Sequence, residues 1–252
     1  MLTCLPILSG IGVGAVLGLF GSGGSLLTLP VLVYGMGMEP QEAVATSLVL
    51  VGVTAAINLV GRLKDKALCP RAGLSFGLSG MVGTYSGTQF AALLTGDQQM
   101  GIFALVMLLA AILMIFKNRL MNQWLVERTD CQISQRVTII SGLAIGVLSG
   151  VVGVGGGFLI VPALSLAGLT MNLAVGTSLL VIVLNCIVGV VGYSGRVDYD
   201  ASVIMPFLLA STLVSLGAAQ LAKRMPVKRL EKIFTVFVTI VAMAVIGRIL
   251  WV

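Results

Sequence analysis

The sequence predicts an all-α polytopic membrane protein built from two homologous repeats, and its composition, its long apolar runs and an internal repeat all support this. Of the 252 residues, 58% are hydrophobic and 10% are charged. A soluble domain carries about a quarter charged residues. This chain cannot cover a water-facing surface, so lipid is expected to cover most of it.

The apolar runs have the length of membrane spans. Gly101–Phe116, Ala201–Ala222 and Ile233–Gly247 are apolar throughout or nearly so. Each approaches the roughly 20 apolar residues that a transmembrane helix requires. The runs are continuous and do not alternate with polar residues, which argues against an outer-membrane barrel.

The two halves of the chain repeat each other. "GLFGSGGSLLTLPVLV" (Gly18–Val33) aligns with "GVVGVGGGFLIVPALS" (Gly150–Ser165) at a shift of 132 residues. "AVATSLVLV" (Ala43–Val51) aligns with "AVGTSLLVI" (Ala174–Ile182) at a shift of 131. We therefore predict a first transmembrane repeat at 1–116, a cytoplasmic linker at 117–135 and a second transmembrane repeat at 136–252.

The lysines and arginines form three groups, which the positive-inside rule would place in the cytoplasm. They are Arg62, Lys64, Lys66 and Arg71; Lys117, Arg119, Arg128 and Arg136; and Lys223, Arg224, Lys228, Arg229 and Lys232. If all eight apolar segments cross the membrane, the third group falls on the opposite side. If each glycine-interrupted segment enters and returns as a re-entrant hairpin, all three groups share one side.

Length also favours the hairpin. A straight helix over 137–167 would be about 46 Å long, against a bilayer core of about 30 Å. Interrupted at the glycines, its arms would reach roughly to the midplane. Each repeat would then contain one broken hairpin and three transmembrane helices, and the two repeats would be inverted. A tilted, kinked helix that crosses would instead make the repeats parallel, and the sequence leaves that alternative open.

The glycine breaks are candidate binding sites for an anion. A helix restarts after Gly24 and again after Gly157, and the free N–H groups and dipole of a helix start favour negative charge. Neighbouring hydroxyl and amide groups could add donors. The predicted substrate-binding residues are Gly21, Gly23, Gly24, Ser25, Thr46, Ser47, Gly153, Gly155, Gly156, Gly157, Thr177, Ser178 and Asn185.

Each of these residues also has a purely structural interpretation. Glycines four apart, such as Gly14 and Gly18, are typical of close helix packing. The Thr–Ser hydroxyls could bond to a carbonyl one turn earlier. Asn185, Gln89 and Gln220 could join helices to one another. Adjacent glycines break helices, however, and this favours binding at "GSGG" and "GVGGG".

Other functions are poorly supported. The chain has no histidine, so we expect no His-based catalytic triad, no zinc or haem site, no cofactor and no enzymatic activity. The four cysteines are scattered and indicate neither a zinc site nor a disulfide framework. The net charge of +6 is explained by topology and does not predict nucleic-acid binding. The expected partners are a small anion and membrane lipid, and the glycine-rich faces allow a homodimer.

Two copies of "G-x-G-G-[SG]-x-L-x-x-P", each followed by "A-[VT]-x-T-S-L", resemble the sulfite exporter TauE/SafE family. The resemblance covers nearly the whole chain, and the copies differ where Ser25 matches Gly157. It implies a bacterial or archaeal inner-membrane carrier of sulfite, sulfonates or other small sulfur-containing or organic anions. From the residues we expect alternating access between the two repeats. A passive anion channel is the alternative.

Overall fold

The computed structural model describes residues 4–20, 25–64, 68–124, 131, 133–153, 155–197, 199, 201–224 and single positions between 233 and 247. These residues form helices joined by turns, and none of them lies in a β-strand. Four described helices are long and apolar enough to cross a bilayer: Pro40–Leu63, Gln135–Val152, Asn172–Tyr193 and Ala201–Leu221. The predicted all-α, multi-pass membrane fold is confirmed.

The order of the helices is the same in both halves. The first half contains α1 (Cys4–Phe20), α2 (Ser25–Pro30, extended by a π-helical segment Val31–Gly35), α3 (Pro40–Lys64), α4 (Pro70–Ala91) and α5 (Gly96–Trp124). The second half contains α6 (Gln135–Val152), α7 (Gly157–Leu166), α8 (Met171–Tyr193) and α9 (Ala201–Arg224). The shift of 131 or 132 residues brings the starts of α1 to α4 within one residue of the starts of α6 to α9.

Two glycine seams join the halves, and each pairs the first helix of one half with the fourth helix of the other. Gly10, Gly14 and Gly18 of α1 lie against Phe207, Ser211 and Ser215 of α9; Gly142, Gly146 and Gly150 of α6 lie against Phe76, Gly80 and Thr84 of α4. A β-carbon on any of these glycines would crowd the partner's carbonyl oxygen. Small residues four apart permit this approach, so the packing interpretation is correct for Gly14 and Gly18.

Residue numbers increase together along both seams, so α1 runs parallel to α9 and α4 runs parallel to α6. Helix α8 has this same direction as α4, because Gly77 lies against Leu184 and Thr88 lies against Gly192. Since α6 and α8 run in the same direction, α7, which connects them, must run in the opposite direction. The segment α6–α7 is therefore a hairpin whose two ends lie on the same side of the bundle.

The equivalent helices α3 and α8 cross at the centre and run antiparallel. Gly52 of α3 lies against Cys186 of α8, and Leu48 lies against Gly189. Because α8 is also parallel to α4, the end of α3 with Arg62 and the start of α4 with Arg71 share one side. The start of α6 with Arg136 lies on that side too.

Three structural features go beyond what the sequence predicted. The arms of the second hairpin are unequal, since α6 has 18 residues and α7 has 10, or about 27 and 15 Å. Helix α5 continues to Trp124, so the predicted linker at 117–135 begins within a helix. Cys69 and Cys131 form a disulfide, which the cysteine spacing did not indicate because the two residues are 62 positions apart and helices α4 and α5 lie between them.

Candidate functional site

Three left-handed glycines form the break in the second hairpin. Gly153 ends α6 with φ +73°, and Gly155 and Gly156 follow with φ +64° and +68°. A residue with a side chain pays roughly 1–2 kcal/mol to adopt this conformation. Gly156 is the N-cap of α7, and its carbonyl accepts hydrogen bonds from the N–H groups of Leu159 and Ile160. The chain therefore reverses direction here because these positions are glycines.

The break lies between the central helices α3 and α8. Gly153 lies against Val44, near the start of α3. A β-carbon on Gly155 would lie 3.0 Å from Sγ of Cys186 and 3.4 Å from Cγ1 of Val51, which are central in α8 and α3. Helix α7 starts two residues later, so its N-terminus is level with the middle of both helices. A helix start carries partial positive charge and unpaired N–H groups.

Ser47 of α3 connects the first half of the chain to this break. Its hydroxyl forms hydrogen bonds with the carbonyl oxygens of Val44 and Gly153. The bond to Val44 is the local, structural interaction considered from the sequence. The bond to Gly153 joins residues 106 positions apart and fixes the end of α6. Ser47 therefore positions the break.

The matching residues of the second half make other bonds. The hydroxyl of Ser178 donates to Val175 O at 2.8 Å, which is the local interaction. Thr177 accepts a hydrogen bond from the N–H of Cys69 at 3.0 Å, and Cys69 is the N-cap of α4. The Thr177 hydroxyl thus stabilises the start of a helix and lies away from the hairpin break.

Two predicted residues have buried polar atoms that lack a partner in the described part of the protein. They are Thr46, at Oγ1, and Asn185, at both amide atoms. Neither residue is exposed to solvent. A buried polar group without a partner costs about 1–3 kcal/mol, so such groups often mark a place where a ligand or water binds.

Sequence reasoning missed five further residues of this kind: Ser149, Thr84, Gln99, Ser165 and Tyr199. Ser149 lies on α6 beside Gly156, where a β-carbon would approach its Oγ to 3.5 Å. The first repeat has Leu17 at the position equivalent to Ser149, so this hydroxyl is specific to the second half. Thr84 lies on α4 and has Ser215 as its equivalent. That recurring hydroxyl was a signal in the sequence.

The first break lies largely outside the described residues. Gly21, Gly23 and Gly24 fall there, so their predicted role stays a prediction. Helix α2 begins at Ser25, as expected for a helix that restarts after Gly24.

Polar contacts hold the last turn of α6, directly before the break. Tyr193 at the end of α8 donates to Gly150 O at 3.0 Å. The amide of Gln99 reaches Val151 O at 3.4 Å and the Tyr193 hydroxyl at 3.5 Å. Nearby, Arg196 donates to Oε1 of Gln89 at 2.7 Å, in agreement with the structural interpretation of this glutamine.

The buried polar side chains of the described residues are neutral. They belong to serine, threonine, asparagine and glutamine. Within the same described set, no three side chains of the metal-binding types come together. The interior can therefore offer hydroxyl and amide groups and a helix start to a guest.

Helices that cross a bilayer, a broken hairpin between them and neutral polar groups at its tip define a membrane transport protein. The sequence pattern of the sulfite exporter TauE/SafE family matches residues 6–245. The chain belongs to this family, and the resemblance seen in its two motifs is confirmed.

Relatives described as probable membrane transporter proteins occur in bacteria and archaea. A probable membrane transporter protein of Xylella fastidiosa strain Temecula1 is 33% identical over 245 residues, covering 94% of this chain and 92% of the relative. One from Methanocaldococcus jannaschii is 30% identical, covering 76% and 73%. The Bacillus subtilis protein YdhB, described in the same words, is 26% identical and covers 74% and 77%.

Proposed function

We propose that the protein is a secondary transporter that moves a small anion across the bacterial or archaeal inner membrane by alternating access. The substrate class is sulfite, which the family description names, or a sulfonate or another small sulfur-containing or organic anion, which the resemblance in sequence implies. The observation that carries the proposal is the start of α7 at mid-bundle, directly after left-handed glycines, because the first N–H groups of a helix have no partner within it. No chemical transformation is assigned to the protein.

Helix directions support a pair of inverted repeats. The equivalent helices α3 and α8 run antiparallel, as a two-fold axis in the membrane plane requires. The ends that carry Arg62, Arg71 and Arg136 share one side, which agrees with cytoplasmic basic groups. Inverted repeats with broken helices that meet near the midplane are typical of secondary transporters.

The glycine seams suggest which parts move. Since α1 packs on α9 and α4 packs on α6, each tightly packed pair contains one helix from each half. Two sequence halves that rock against each other, as the repeat alone suggests, would have to open both seams. We therefore propose that the seam pairs move as units against the central pair α3–α8.

The proposal is tested with purified protein in liposomes. We expect saturable uptake of sulfite or a sulfonate. We also expect uptake to become faster when the same anion is trapped inside the liposomes. A passive anion channel would show neither saturation at low concentration nor counter-flow. A wild-type protein that moves no small anion under any gradient would contradict the proposal.

A matched pair of variants tests the site itself. Gly156→Ala places a side chain at φ +68°, beside Ile145 and Ser149, and is expected to abolish uptake. Gly195→Ala places the same side chain at φ +77° with no atom within 4 Å, so it has the same backbone strain outside the site. Equal activity of both variants would remove the break from the mechanism.

A further inference from the structure

Two equivalent helix interfaces differ in the hydrogen bonding of their buried polar groups. In the interface of α3 with α9, the Asn58 amide donates to Ser215 Oγ at 3.1 Å and to Thr54 O at 3.0 Å. The Thr54 hydroxyl donates to Leu50 O at 2.7 Å. This interface therefore gives a hydrogen-bond partner to each of these groups.

The interface of α8 with α4 contains the equivalent positions but leaves polar atoms without partners. Asn185 stands where α3 has Thr54, and Thr84 stands where α9 has Ser215. Nδ2 and Oδ1 of Asn185 and Oγ1 of Thr84 have no hydrogen-bond partner among the described residues, and both residues are fully buried. Gly189 stands where α3 has Asn58, so the amide that would bond to Thr84 is missing.

Glycines surround these atoms. A β-carbon on Gly80 would lie 2.6 Å from Oδ1 of Asn185, and one on Gly189 would lie 3.5 Å from Cγ2 of Thr84. These two glycines bring the backbones of α4 and α8 close to the two polar groups, and the Leu48 side chain also lies against Gly189. Polar groups that are left unsatisfied in one of two equivalent interfaces indicate a polar guest.

The chemistry of the guest follows from what these groups offer. The Asn185 amide offers N–H donors and one carbonyl acceptor, and a threonine hydroxyl offers both functions. A guest that satisfies them must therefore supply an acceptor oxygen and a hydrogen-bond donor. The sulfite dianion, SO₃²⁻, supplies only acceptors, and its two charges would be buried without a cation, which is very costly.

We propose that Asn185 and Thr84 form a subsite for a singly charged, protonated oxyanion, with its O–H directed to Oδ1 of Asn185 and an oxygen directed to Nδ2. This proposal rests on the proposed function, and it names the form of the anion that is carried. For sulfite the carried species is hydrogen sulfite, HSO₃⁻.

Titratable groups of the surrounding helices do not face this subsite. Cys186 faces Gly52 and Gly155, Tyr193 bonds to Gly150, and Tyr85 is exposed. The remaining charged residues of α3, α4 and α6 lie in end turns: Glu42, Arg62, Lys64, Arg71 and Arg136. A pH dependence of transport is therefore expected to follow the protonation of the anion.

The test measures lumenal pH in proteoliposomes supplied with sulfite, with potassium and valinomycin to compensate charge and protein-free liposomes as background. Entry of HSO₃⁻ releases protons and acidifies the lumen, whereas entry of SO₃²⁻ consumes protons and makes it alkaline.

At fixed total sulfite, the uptake rate is expected to fall about tenfold per pH unit above the second pKa of sulfite. Lumenal alkalinisation, or a rate that rises with the dianion, would overturn the subsite proposal alone. Absence of all anion uptake by the wild type would instead contradict the proposed function.

The variant Thr84→Val separates binding from folding. It is nearly isosteric and removes a hydroxyl that has no described partner, so the melting temperature without anion is expected to stay constant or rise. The sulfite concentration that stabilises Thr84→Val is expected to be at least tenfold higher than for the wild type. Ser86→Ala removes an exposed hydroxyl on the same helix, and sulfite is expected to stabilise it as it does the wild type. A lower melting temperature of anion-free Thr84→Val would show that the hydroxyl has a structural partner, and would overturn the proposal.

Discussion

The hydroxyl of Ser47 and the carbonyl oxygen of Gly153 form a hydrogen bond between the two halves of the chain. Ser47 belongs to the central helix of the first half, and Gly153 begins the break in the second. The backbone reversal before α7 is therefore held by a side chain that lies in the other repeat. This makes the position of the proposed anion site dependent on the packing of the two halves.

Replacement of Ser47 by alanine is expected to impair transport more than stability. The variant loses the bond to Gly153 and leaves a buried carbonyl without its partner, at a cost of about 1–3 kcal/mol. Uptake in liposomes should fall by much more than the melting temperature suggests, because the start of α7 loses its support. Ser86→Ala is the control, since that hydroxyl bonds only within its own helix to Val82 O. Wild-type uptake by Ser47→Ala would contradict the role given to this bond.

The glycine seams predict opposite outcomes for two neighbouring glycines of α1. A β-carbon at Gly14 would overlap the backbone of Ser211, whereas one at Gly12 would meet no atom within 4 Å. Gly14→Ala is expected to destabilise the protein by about 1–3 kcal/mol through overpacking. Gly12→Ala is expected to be neutral or slightly stabilising, because alanine favours a helix more than glycine does. Thermal unfolding in detergent measures both, and equal melting temperatures would argue against a close α1–α9 contact.

The disulfide between Cys69 and Cys131 predicts a dependence on redox conditions. It joins the start of α4 to the segment before α6, on the side that carries the basic groups, and the cytoplasm normally keeps thiols reduced. We therefore expect free thiols in growing cells and a disulfide after purification in air. Alkylation of intact cells followed by mass spectrometry distinguishes the two forms. A complete disulfide in cells with a reducing cytoplasm would place the basic side outside and overturn the predicted orientation.

Oxidation is also expected to change the surroundings of the predicted Thr–Ser motif. Cys69 donates its N–H to Thr177, and Cys131 lines a pocket of about 210 Å³ with Arg71, Ser75 and Thr138. Reduction frees the segment that forms one wall of this pocket. Limited proteolysis near residue 131 should then become faster, and Cys131→Ser should show the fast rate with or without reductant.

Much of the fold could be predicted because membrane burial and the repeat leave strong signals. Continuous apolar runs give the spans, and the glycine run before Phe158 marks the break. The third basic group, from Lys223 to Lys232, predicts a hairpin, because it would otherwise lie on the side opposite to the groups of Arg62 and Arg136. These signals are local or periodic, so a single sequence contains them.

The site was harder to predict because its details depend on contacts between distant elements. Thr177 and Ser178 match Thr46 and Ser47 in sequence, yet Thr177 caps α4 while Thr46 keeps an unpartnered hydroxyl. Which hydroxyl is used depends on the neighbouring helix, and no local pattern records that neighbour. Ser149 was missed for the same reason, since only the structure places it beside Gly156. Thr84 recurs as Ser215 in the sequence, but only the structure shows that the two hydroxyls differ in their hydrogen bonds.

The reciprocal pairing of α1 with α9 and of α4 with α6 has a consequence for how the polypeptide matures. Each fragment of a chain cut between the repeats would expose a bare strip of backbone to lipid, with its complement on the other fragment. Insertion of the first repeat by the ribosome-bound machinery therefore leaves an unfinished intermediate that must wait for the second. Co-production of the severed fragments should rescue both from degradation, whereas either one alone should be cleared.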